Sequence, residues 1–393
     1  MSKYKLKNVA ILTTSRADYS ILRNLINLFK LSKKINFKLI VSGQHISKKY
    51  GNTFNEIESD YGKKNLIKIN LNVNRSNVQS LIQVMQNAMK RFSHLFTKNK
   101  FDLIILLGDR YETLSIAITS IMHQIPIVHI NGGEKTLGST DDMFRHCITK
   151  LSNYHFVSCK RYFKRVLQLG EKRNNIFNVG SLGVEAFSNS KTINKTEIEK
   201  KLKIKFSKKN YLICVNSTTY GNENINNLLK NLFLALNEIK DSTIIFTLPN
   251  SDLKSDIISR EIKDFCKSSK NAFYFKNLGH IYFKSVLKNC NAIIGNSSSG
   301  VIEVPSLGIP SINIGIRQEG RERTTSIIDC KGEREKILNA IYKSQNTKFK
   351  LKYITKRSKK FLHKKNSSKK IFKKILTLLR TNIQPKEFVD IIK

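Results

Sequence analysis

The chain has few cysteines, and their spacing fits neither a metal-binding nor a redox motif. Its 393 residues include six cysteines and no Cys-x-x-Cys pair, which argues against zinc binding and thioredoxin-like chemistry. Most of the six stand in or beside apolar runs, a setting typical of reduced cysteines in a protein core. We therefore expect a protein of the reducing cytoplasm.

Long apolar runs are also missing. No stretch approaches the roughly 20 apolar residues that a membrane-spanning helix needs. The first apolar run, Asn8 to Thr14, is too short for the core of a signal peptide. We expect no membrane insertion.

Acidic residues are scarce, with 29 Asp and Glu against 70 Lys and Arg and a formal net charge of +41. Such an excess suggests nucleic-acid binding as one hypothesis. However, the lysines are spread along the whole chain beside many Asn and Ile residues, as AT-rich coding produces. Net charge affects solubility and weak association more than fold. We therefore expect no nucleic-acid partner, although the densest basic run, 347–375, could contact a polyanion weakly.

Short apolar runs alternate with longer amphipathic segments in two series, which predicts an α/β chain of two doubly wound, Rossmann-like domains. The predicted strands of the first series are Val9–Leu12, Phe37–Val41, Ile67–Leu71, Leu103–Leu107, Ile125–Ile130 and His155–Val157. Those of the second are Tyr211–Val215, Thr243–Phe246, Ala272–Phe275, Ala292–Ile294 and Ser311–Ile314. The predicted domains are 1–180, joined by a C-terminal helical segment 367–393, and 181–366.

Residues 76–97 are predicted to form a helix. Its predicted apolar face consists of Val78, Leu81, Ile82, Met85 and Met89.

Polar motifs follow the predicted strands, where ligands of open α/β sheets bind. After the first strand, Arg16 and Ser20 suit a phosphate or a sugar hydroxyl. An ordinary helix cap by Ser15 or Asp18 explains the same residues equally well. His45, after the second strand, is a weaker binding candidate.

The densest group of polar residues lies between 108 and 146. Asp109 and Arg110 follow a fully apolar strand, and the glycine-rich segment 131–138 contains Glu134. In a helix over 141–150, Asp141 faces Arg145 and Asp142 faces His146, each at i,i+4. Several acids beside Arg and His are typical of a site that separates the pKa values of an acid and a base. A charged loop with ordinary helix pairs is the alternative.

The second series offers an anion site. Ser297, Ser298, Ser299 and Gly300 follow the strand Ala292–Ile294 and begin a helix, as in a diphosphate cradle, while a capped serine-rich turn is the alternative. Glu303 is placed to accept hydrogen bonds from ribose hydroxyls. Arg317, after the next strand, is a phosphate-binding candidate.

Taken together, these motifs resemble the hydrolysing UDP-N-acetylglucosamine 2-epimerases of the sialic-acid pathway over about residues 6–330. The matching strings are SRADYS, SGQHIS, YGNTFNEI, GDRYE, NGGEKTLGSTDDMFRHCITKLS, FNVGSLG, LPNSD, GNSSSGVIEVPSLGIP and INIGIRQEGR. The resemblance implies the two-domain, GT-B-like fold shared with many glycosyltransferases, with the active site in the interdomain cleft. It also implies a homodimer.

The resemblance further implies a two-stage reaction. UDP is eliminated with the C2 proton to give a 2-acetamidoglucal, and water then adds to give free N-acetylmannosamine, without metal or nicotinamide. Proton removal from carbon and hydration need a placed base and acid. The residues that match the family's catalytic positions are Asp109, Glu134 and Asp141, with Asp142 as neighbour. Those that match its binding positions are Arg16, Ser20, Arg110, Arg145, His146, Ser297, Ser298, Glu303 and Arg317.

Two positions depart from the family pattern. Asn216 stands where the family usually has a His, and Asn can hydrogen-bond a phosphate or sugar but cannot carry a proton near neutral pH. Asn131 stands where relatives commonly have His or Glu. These departures are consistent with a different sugar, a different assignment of roles or reduced activity. The expected substrate is UDP-N-acetylglucosamine or a 2,4-diacetamido relative, and a glycosyltransferase or a non-catalytic nucleotide-sugar binder are the alternative functions.

Overall fold

The computed structural model describes residues 6–47, 52–73, 77–220, 223–249, 254–381, 383 and 385–390. Parts of three sequence predictions lie outside the described residues. They are the ends of the predicted domains (1–5 and 391–393), the start of the predicted helix at Ser76, and the motif residues Tyr50, Gly51 and 250–252.

The chain forms two compact units. Unit 1 comprises residues 1–134, 141–186 and 364–393, and unit 2 comprises 135–140 and 187–363. The sequence analysis did not anticipate that segment 135–140 groups with unit 2. This grouping rests on long-range contacts such as the hydrogen bond from the Leu137 amide to the Glu319 carbonyl (3.0 Å).

Unit 1 contains one parallel sheet. In chain order its strands are β1 (Lys7–Thr13), β2 (Ile35–Ser42), β3 (Leu66–Ile69), β4 (Leu103–Leu107), β5 (Ile127–Ile130), β6 (Tyr154–Val157) and β7 (Ile176–Asn178). Among the described residues the sheet order is β3-β2-β1-β4-β5-β6-β7. The order reverses between β1 and β4, where ligands of this fold class bind. Strand β7 was not predicted, because a run of three residues is too short to show a strand pattern.

Unit 2 repeats the same topology. Its strands are β8 (Lys209–Cys214), β9 (Ser242–Thr247), β10 (Ala272–Phe275), β11 (Ala292–Gly295), β12 (Ser311–Ile314) and β13 (Ile327–Cys330). The order among the described residues is β10-β9-β8-β11-β12-β13, so the reversal falls between β8 and β11. The predicted class of two Rossmann-like domains is confirmed, and β13 is the strand that the sequence analysis missed here.

Helices connect the strands. In unit 1 they are α1 (Arg16–Lys30), α2 (Phe54–Tyr61), α3 (Val78–Lys98), α4 (Tyr111–Met122), α5 (Asp141–Leu151), α6 (Lys160–Gln168) and α7 (Leu182–Asn189), of which α7 crosses into unit 2. In unit 2 they are α8 (Lys195–Leu202), α9 (Ile225–Asn237), α10 (Ser255–Ser268), α11 (Gly279–Lys288), α12 (Ser298–Ile302), α13 (Arg334–Gln345), α14 (Thr347–Tyr353) and α15 (Lys356–Lys359). The last helix, α16 (Ser367–Leu378), belongs to unit 1. No helix in the described part of the chain is long and apolar enough to cross a bilayer.

The core of unit 1 has a layer on each face of the sheet, because successive strand residues point to opposite faces. Val9 and Ile11 pack with α1 and α16 on one face, whereas Ala10 and Leu12 pack with α3 and α4 on the other. Burial on both faces explains why the central strands are continuous apolar runs.

The predicted apolar face of α3 is wrong in part. Val78 and Ile82 are 61% and 49% exposed, and the buried positions of this helix are Val84, Ala88, Phe92, Leu95 and Phe96. The aromatic side chains in the second half of the helix fill the space against the sheet. The predicted apolar face consisted mainly of residues in the first half of the helix, whereas most buried positions lie in the second half.

Helix α16 packs on α1 of unit 1. Ile371 and Ile375 are fully buried in the same core as β1, and the rings of Phe372 and Phe29 lie 5.0 Å apart.

Candidate functional site

The loop after β1 is organised by a capping box at the start of α1. The Ser15 side chain accepts from the Asp18 amide, and the Asp18 carboxylate accepts from the Ser15 amide (2.9 Å) and the Thr13 hydroxyl (2.8 Å). Burial by itself raises the pKa of Asp18, but the His45 ring 3.8 Å away and hydrogen bonds from Thr14 and Thr13 reverse this and lower it. Asp18 therefore serves as a charged cap that shapes the loop.

The two binding candidates in this loop differ in their partners. The Ser20 hydroxyl donates to the Arg16 carbonyl (2.8 Å), so its proton is used within α1. The Arg16 guanidinium is partly buried, and its pKa is lowered by burial and raised in part by Glu56.

His45 supports this loop from inside the protein. It is fully buried, with Nε2 2.9 Å from the Thr13 hydroxyl and Nδ1 2.6 Å from the Thr53 hydroxyl. Both ring nitrogens therefore have protein partners. His45 therefore supports Thr13 and lies 3.8 Å from the Asp18 carboxylate.

Arg145 on α5 is the centre of the polar group in unit 1. Its side chain is 1% exposed, and it donates to the Asp109 carboxylate after β4, to an Asp142 oxygen (3.0 Å) and to the Glu134 carbonyl (3.1 Å). Burial by itself lowers the pKa of Arg145, but the charges of Asp109, Glu134 and Asp142 reverse this and raise it above its ordinary value. The guanidinium thus brings three predicted acidic positions together.

Helix α5 contains a side-chain ion pair that is not among the i,i+4 pairs that were predicted. Arg145 pairs with Asp142 at i,i+3, a contact that the sequence analysis did not expect. The other Asp142 oxygen lies 3.5 Å from His146 Nε2, in the predicted i,i+4 pair. Asp141 is the first residue of this helix.

Arg110 is held by a carboxylate that the sequence analysis did not assign. Its Nε donates to an oxygen of Glu112 (2.6 Å), whose side chain is fully buried in the first turn of α4. Arg110 is the N-cap residue of α4, so the pair lies where the chain leaves the carboxyl end of β4.

The backbone of 131–134 turns sharply after β5. Asn131 has φ +66° and Gly133 has φ +75°. A Cβ atom on Gly133 would lie 2.6 Å from the Tyr162 carbonyl oxygen, so only glycine fits there. Asn is among the few other residues that adopt this left-handed conformation readily, which gives a physical reason for Asn131. Arg165, missed by the sequence analysis, donates to the Gly133 carbonyl (2.5 Å).

His129 is a second functional candidate that the sequence analysis missed, because it lies within an apolar strand. It is fully buried on β5, and burial lowers its pKa to about 3. Its Nε2 lies 2.7 Å from the Gly108 carbonyl oxygen, directly before Asp109.

In unit 2, the loops after β8 and β11 are tied by a reciprocal pair of hydrogen bonds. The Asn296 side chain accepts from the Asn216 amide (2.7 Å) and donates to the Asn216 carbonyl (2.8 Å). The tie uses only the backbone of Asn216, so Asn in place of the family His does not disturb it. A Cβ on Gly295 would lie 2.1 Å from the Cys214 carbonyl oxygen, which shows how closely the two strands' ends approach.

Arg317 reaches across these two loops from the end of β12. Its guanidinium donates to the carbonyls of Ser217 (3.0 Å) and Asn296 (3.1 Å), and Gln318 donates to the same Asn296 carbonyl (3.0 Å). Gly138 packs directly on Arg317, since a Cβ there would lie 2.6 Å from the Arg317 Cα.

The serine motif surrounds the start of α12. Ser297 is the N-cap, and its hydroxyl accepts from the Ser299 amide at 3.4 Å. Ser298 and Ser299 are partly exposed, Gly300 is buried, and Glu303 is the C-cap of the same short helix. The cap that the sequence analysis kept as an alternative is therefore present, with partly exposed serines at the end of β11.

Within the described residues, no three His, Cys, Asp or Glu side chains form a group that could hold a metal ion. Unit 1 offers carboxylates, an arginine and a histidine suited to proton transfer. Unit 2 offers hydroxyls, amides and an arginine suited to a phosphate.

Comparisons with known proteins give a consistent result. A family model described as UDP-N-acetylglucosamine 2-epimerase matches residues 29–376. The chain is 40% identical over 330 residues to a hydrolysing GDP/UDP-N,N'-diacetylbacillosamine 2-epimerase from Campylobacter jejuni, which covers 84% of this chain and 85% of that protein. It is 39% identical over 346 residues to the polysialic acid biosynthesis protein P7 from Escherichia coli, with 88% of each chain covered.

The fold is also similar to solved structures. The crystal structure of UDP-GlcNAc 2-epimerase from Neisseria meningitidis bound to UDP-GlcNAc matches with a TM-score of 0.78 at 16% identity, covering 94% of this chain and 100% of that one. At this identity the likeness concerns the fold alone.

The lowered pKa of His129 predicts acid-sensitive stability. The folded protein holds His129 neutral down to about pH 3, whereas its ordinary value is 6.5. Below pH 6.5 the unfolded chain therefore binds one more proton, and this residue lowers the free energy of unfolding by about 1.4 kcal/mol per pH unit as pH falls toward 3. Urea unfolding between pH 7 and 4 should show a shallower acid dependence in His129→Gln. His123→Gln is the control, and equal slopes in parent and His129→Gln would contradict the assignment.

Proposed function

The chain belongs to the UDP-N-acetylglucosamine 2-epimerase family, and we propose that it is a hydrolysing 2-epimerase that releases UDP from a UDP-2-acetamido sugar. The product is the free sugar epimerised at C2, of the N-acetylmannosamine type, for sialic or related nonulosonic acids. The observation that carries the proposal beyond the family is the convergence of Asp109, Glu134 and Asp142 on the buried Arg145.

The proposed reaction has two balanced stages. A base takes the C2 hydrogen as a proton, the C2–H electrons form a C1=C2 double bond, and the C1–O bond breaks with its electron pair leaving on UDP. Water then adds its oxygen to C1, and a proton returns to C2 on the opposite face. Neither stage is a net oxidation, so the proposal needs no nicotinamide.

Unit 1 supplies the proton chemistry in this proposal. Asp109 and Glu134 are the acid and base candidates, with Asp141 beside them at the start of α5. Asp142 uses its two oxygens on Arg145 and His146, so we assign it to positioning these side chains. The positive Arg145 guanidinium donates to Asp109 and Asp142 and so fixes the positions of these carboxylates.

Unit 2 binds the nucleotide in this proposal. Ser297 and Ser298 donate to the diphosphate, Glu303 accepts from the ribose hydroxyls, and Arg317 pairs with a phosphate oxygen. Gly300, whose amide donates to the Ser297 carbonyl (3.2 Å), lets the diphosphate approach the backbone closely. Asn216 contributes a hydrogen bond but no proton transfer. Arg16, Ser20 and Arg110 complete the contacts to the substrate.

Two substrates fit the proposal, UDP-N-acetylglucosamine and a UDP-2,4-diacetamido sugar. The Campylobacter relative is named for a diacetylbacillosamine nucleotide and the Escherichia coli relative for polysialic acid. These names give no support to the glycosyltransferase or non-catalytic alternatives.

Proton NMR in heavy water tests the reaction. With either UDP-sugar we expect release of UDP and a 2-epimeric sugar deuterated at C2, because the proton returned to C2 comes from solvent. Asp109→Asn and Glu134→Gln should bind UDP as the parent does but lose turnover by roughly 100-fold or more, as expected for general acid–base groups.

The control variant is Asp264→Asn, which removes an exposed carboxylate paired with Lys267 and should leave turnover unchanged. Parent protein that binds both UDP-sugars without converting either would overturn the proposed activity. Full turnover in both site variants would overturn the assignment of Asp109 and Glu134 alone.

Arg317→Ala should weaken UDP binding. A charge-assisted hydrogen bond is worth roughly 1.5–3 kcal/mol, so we expect the Kd measured by calorimetry to rise about ten- to a hundredfold. Arg334→Ala, which removes an exposed arginine paired with Glu238, is the matched control in unit 2. Equal UDP affinity in Arg317→Ala and parent would rule out the phosphate contact.

We also propose a cytoplasmic homodimer. Large apolar side chains are exposed on α3 and α4, including Ile82 at 49%, Ile121 at 41% and Met122 at 78%. The two helices pack against each other, and exposed apolar surface across neighbouring helices is typical of an interaction surface. Light scattering should give twice the 45.2 kDa chain mass, and Ile121→Lys should halve it. A monomeric parent at micromolar concentration would contradict the dimer.

A further inference from the structure

The imidazole of His129 lies where the three segments that carry the candidate acids meet. Its Nε2 is 2.7 Å from the Gly108 carbonyl oxygen, and its Nδ1 is 3.0 Å from the Thr149 hydroxyl on α5. Gly108 directly precedes Asp109. Thr149 stands one helical turn after Arg145, and its hydroxyl is also 2.9 Å from the Arg145 carbonyl oxygen.

The third segment is the loop that leads to Glu134. A Cβ atom on Gly132 would lie 3.0 Å from His129 Nδ1 and 2.8 Å from the Thr149 hydroxyl oxygen. The loop backbone therefore rests directly on the histidine–threonine pair. A bulkier side chain or an altered hydrogen bond at His129 would displace this loop.

The partners define the protonation state of the ring. A carbonyl oxygen can only accept, so Nε2 carries the proton and donates to Gly108. Burial lowers the pKa of His129 and keeps the ring neutral, so Nδ1 is an acceptor. The single proton of the Thr149 hydroxyl is then shared between Nδ1 (3.0 Å) and the Arg145 carbonyl oxygen (2.9 Å). His129 is 0% exposed, so its ring has no contact with bulk water.

We propose that His129 is a positioning residue, a neutral spacer of one tautomer that sets the separation of Asp109, Glu134 and Arg145. His129 contacts the backbone before Asp109, the loop before Glu134 and the helix that carries Arg145. The Arg145 guanidinium donates to acceptors in the same three segments. The expected loss of kcat rests on the proposed epimerase function. The expected effect on the tautomer and on loop positions rests on geometry alone.

The kinetic test compares three variants. His129→Leu removes both hydrogen bonds, His129→Gln keeps an amide donor that can reach the Gly108 carbonyl, and Thr149→Val removes only the hydroxyl. We expect His129→Leu to lower kcat on the UDP-sugar by roughly 100-fold, since misplacing reacting groups by about 1 Å has this effect. KM and the Kd of UDP should change less than about threefold, and His129→Gln should recover part of kcat.

The structural test does not depend on activity. In histidine-labelled protein, NMR should show one ring, absent from His129→Gln, as the Nε2–H tautomer from pH 5 to 8. Amide hydrogen exchange at 108–112 and 131–134 should be at least tenfold faster in His129→Leu or Thr149→Val. His123→Leu is the control, because His123 also bonds one hydroxyl of unit 1, that of Ser93, but lies away from these segments.

The outcomes separate the two proposals. A parent without turnover overturns the epimerase function, and the exchange data then decide the inference about His129. A ring that titrates or changes tautomer between pH 5 and 8, or exchange rates equal to those of the parent, overturns the inference. So does an active parent whose kcat is unchanged in His129→Leu and Thr149→Val.

Discussion

The buried charge of Arg145 is the constraint on which the rest of the site depends. A guanidinium that is 1% exposed is stable only when fixed acceptors replace its lost water. The carboxylates of Asp109 and Asp142 and the carbonyl of Glu134 supply them, and each comes from a different part of the fold. The buried positive charge of Arg145 must be paired, and this requirement fixes the positions of three acidic residues before any substrate binds.

Two units with the same strand order place different chemistry at the same topological position. In both sheets the order reverses beside the first strand, and the loops that follow the central strands carry the polar side chains. In unit 1 these loops carry charged side chains. In unit 2 they carry amides and hydroxyls, and hydrogen bonds from side chains to backbone atoms hold the loops together. Because the Asn296 side chain bonds the backbone of Asn216, these two hydrogen bonds do not depend on which side chain stands at 216.

Supporting residues in this chain are buried polar groups within apolar surroundings. His45, His129 and Glu112 are each fully buried. Glu112 bonds Arg110, His129 bonds the residue before Asp109, and His45 bonds Thr13 in the loop that leads to Arg16. Buried polar atoms must be paired, so their partners are held in defined places. The rigidity of the site follows from this requirement, since the exposed side chains alone have many rotamers.

The sequence by itself determined the α/β class, the central strands, the order of the motifs and the family. Apolar runs indicate which segments are buried, and the order of the motifs can be read without knowledge of the fold. It did not determine that Arg145 pairs with Asp142, that Phe92 rather than Ile82 faces the core, that 135–140 groups with unit 2, or that His129 joins Gly108 to Thr149. These contacts depend on strand order and helix rotation, which bring residues distant along the chain together, and only the tertiary structure decides them.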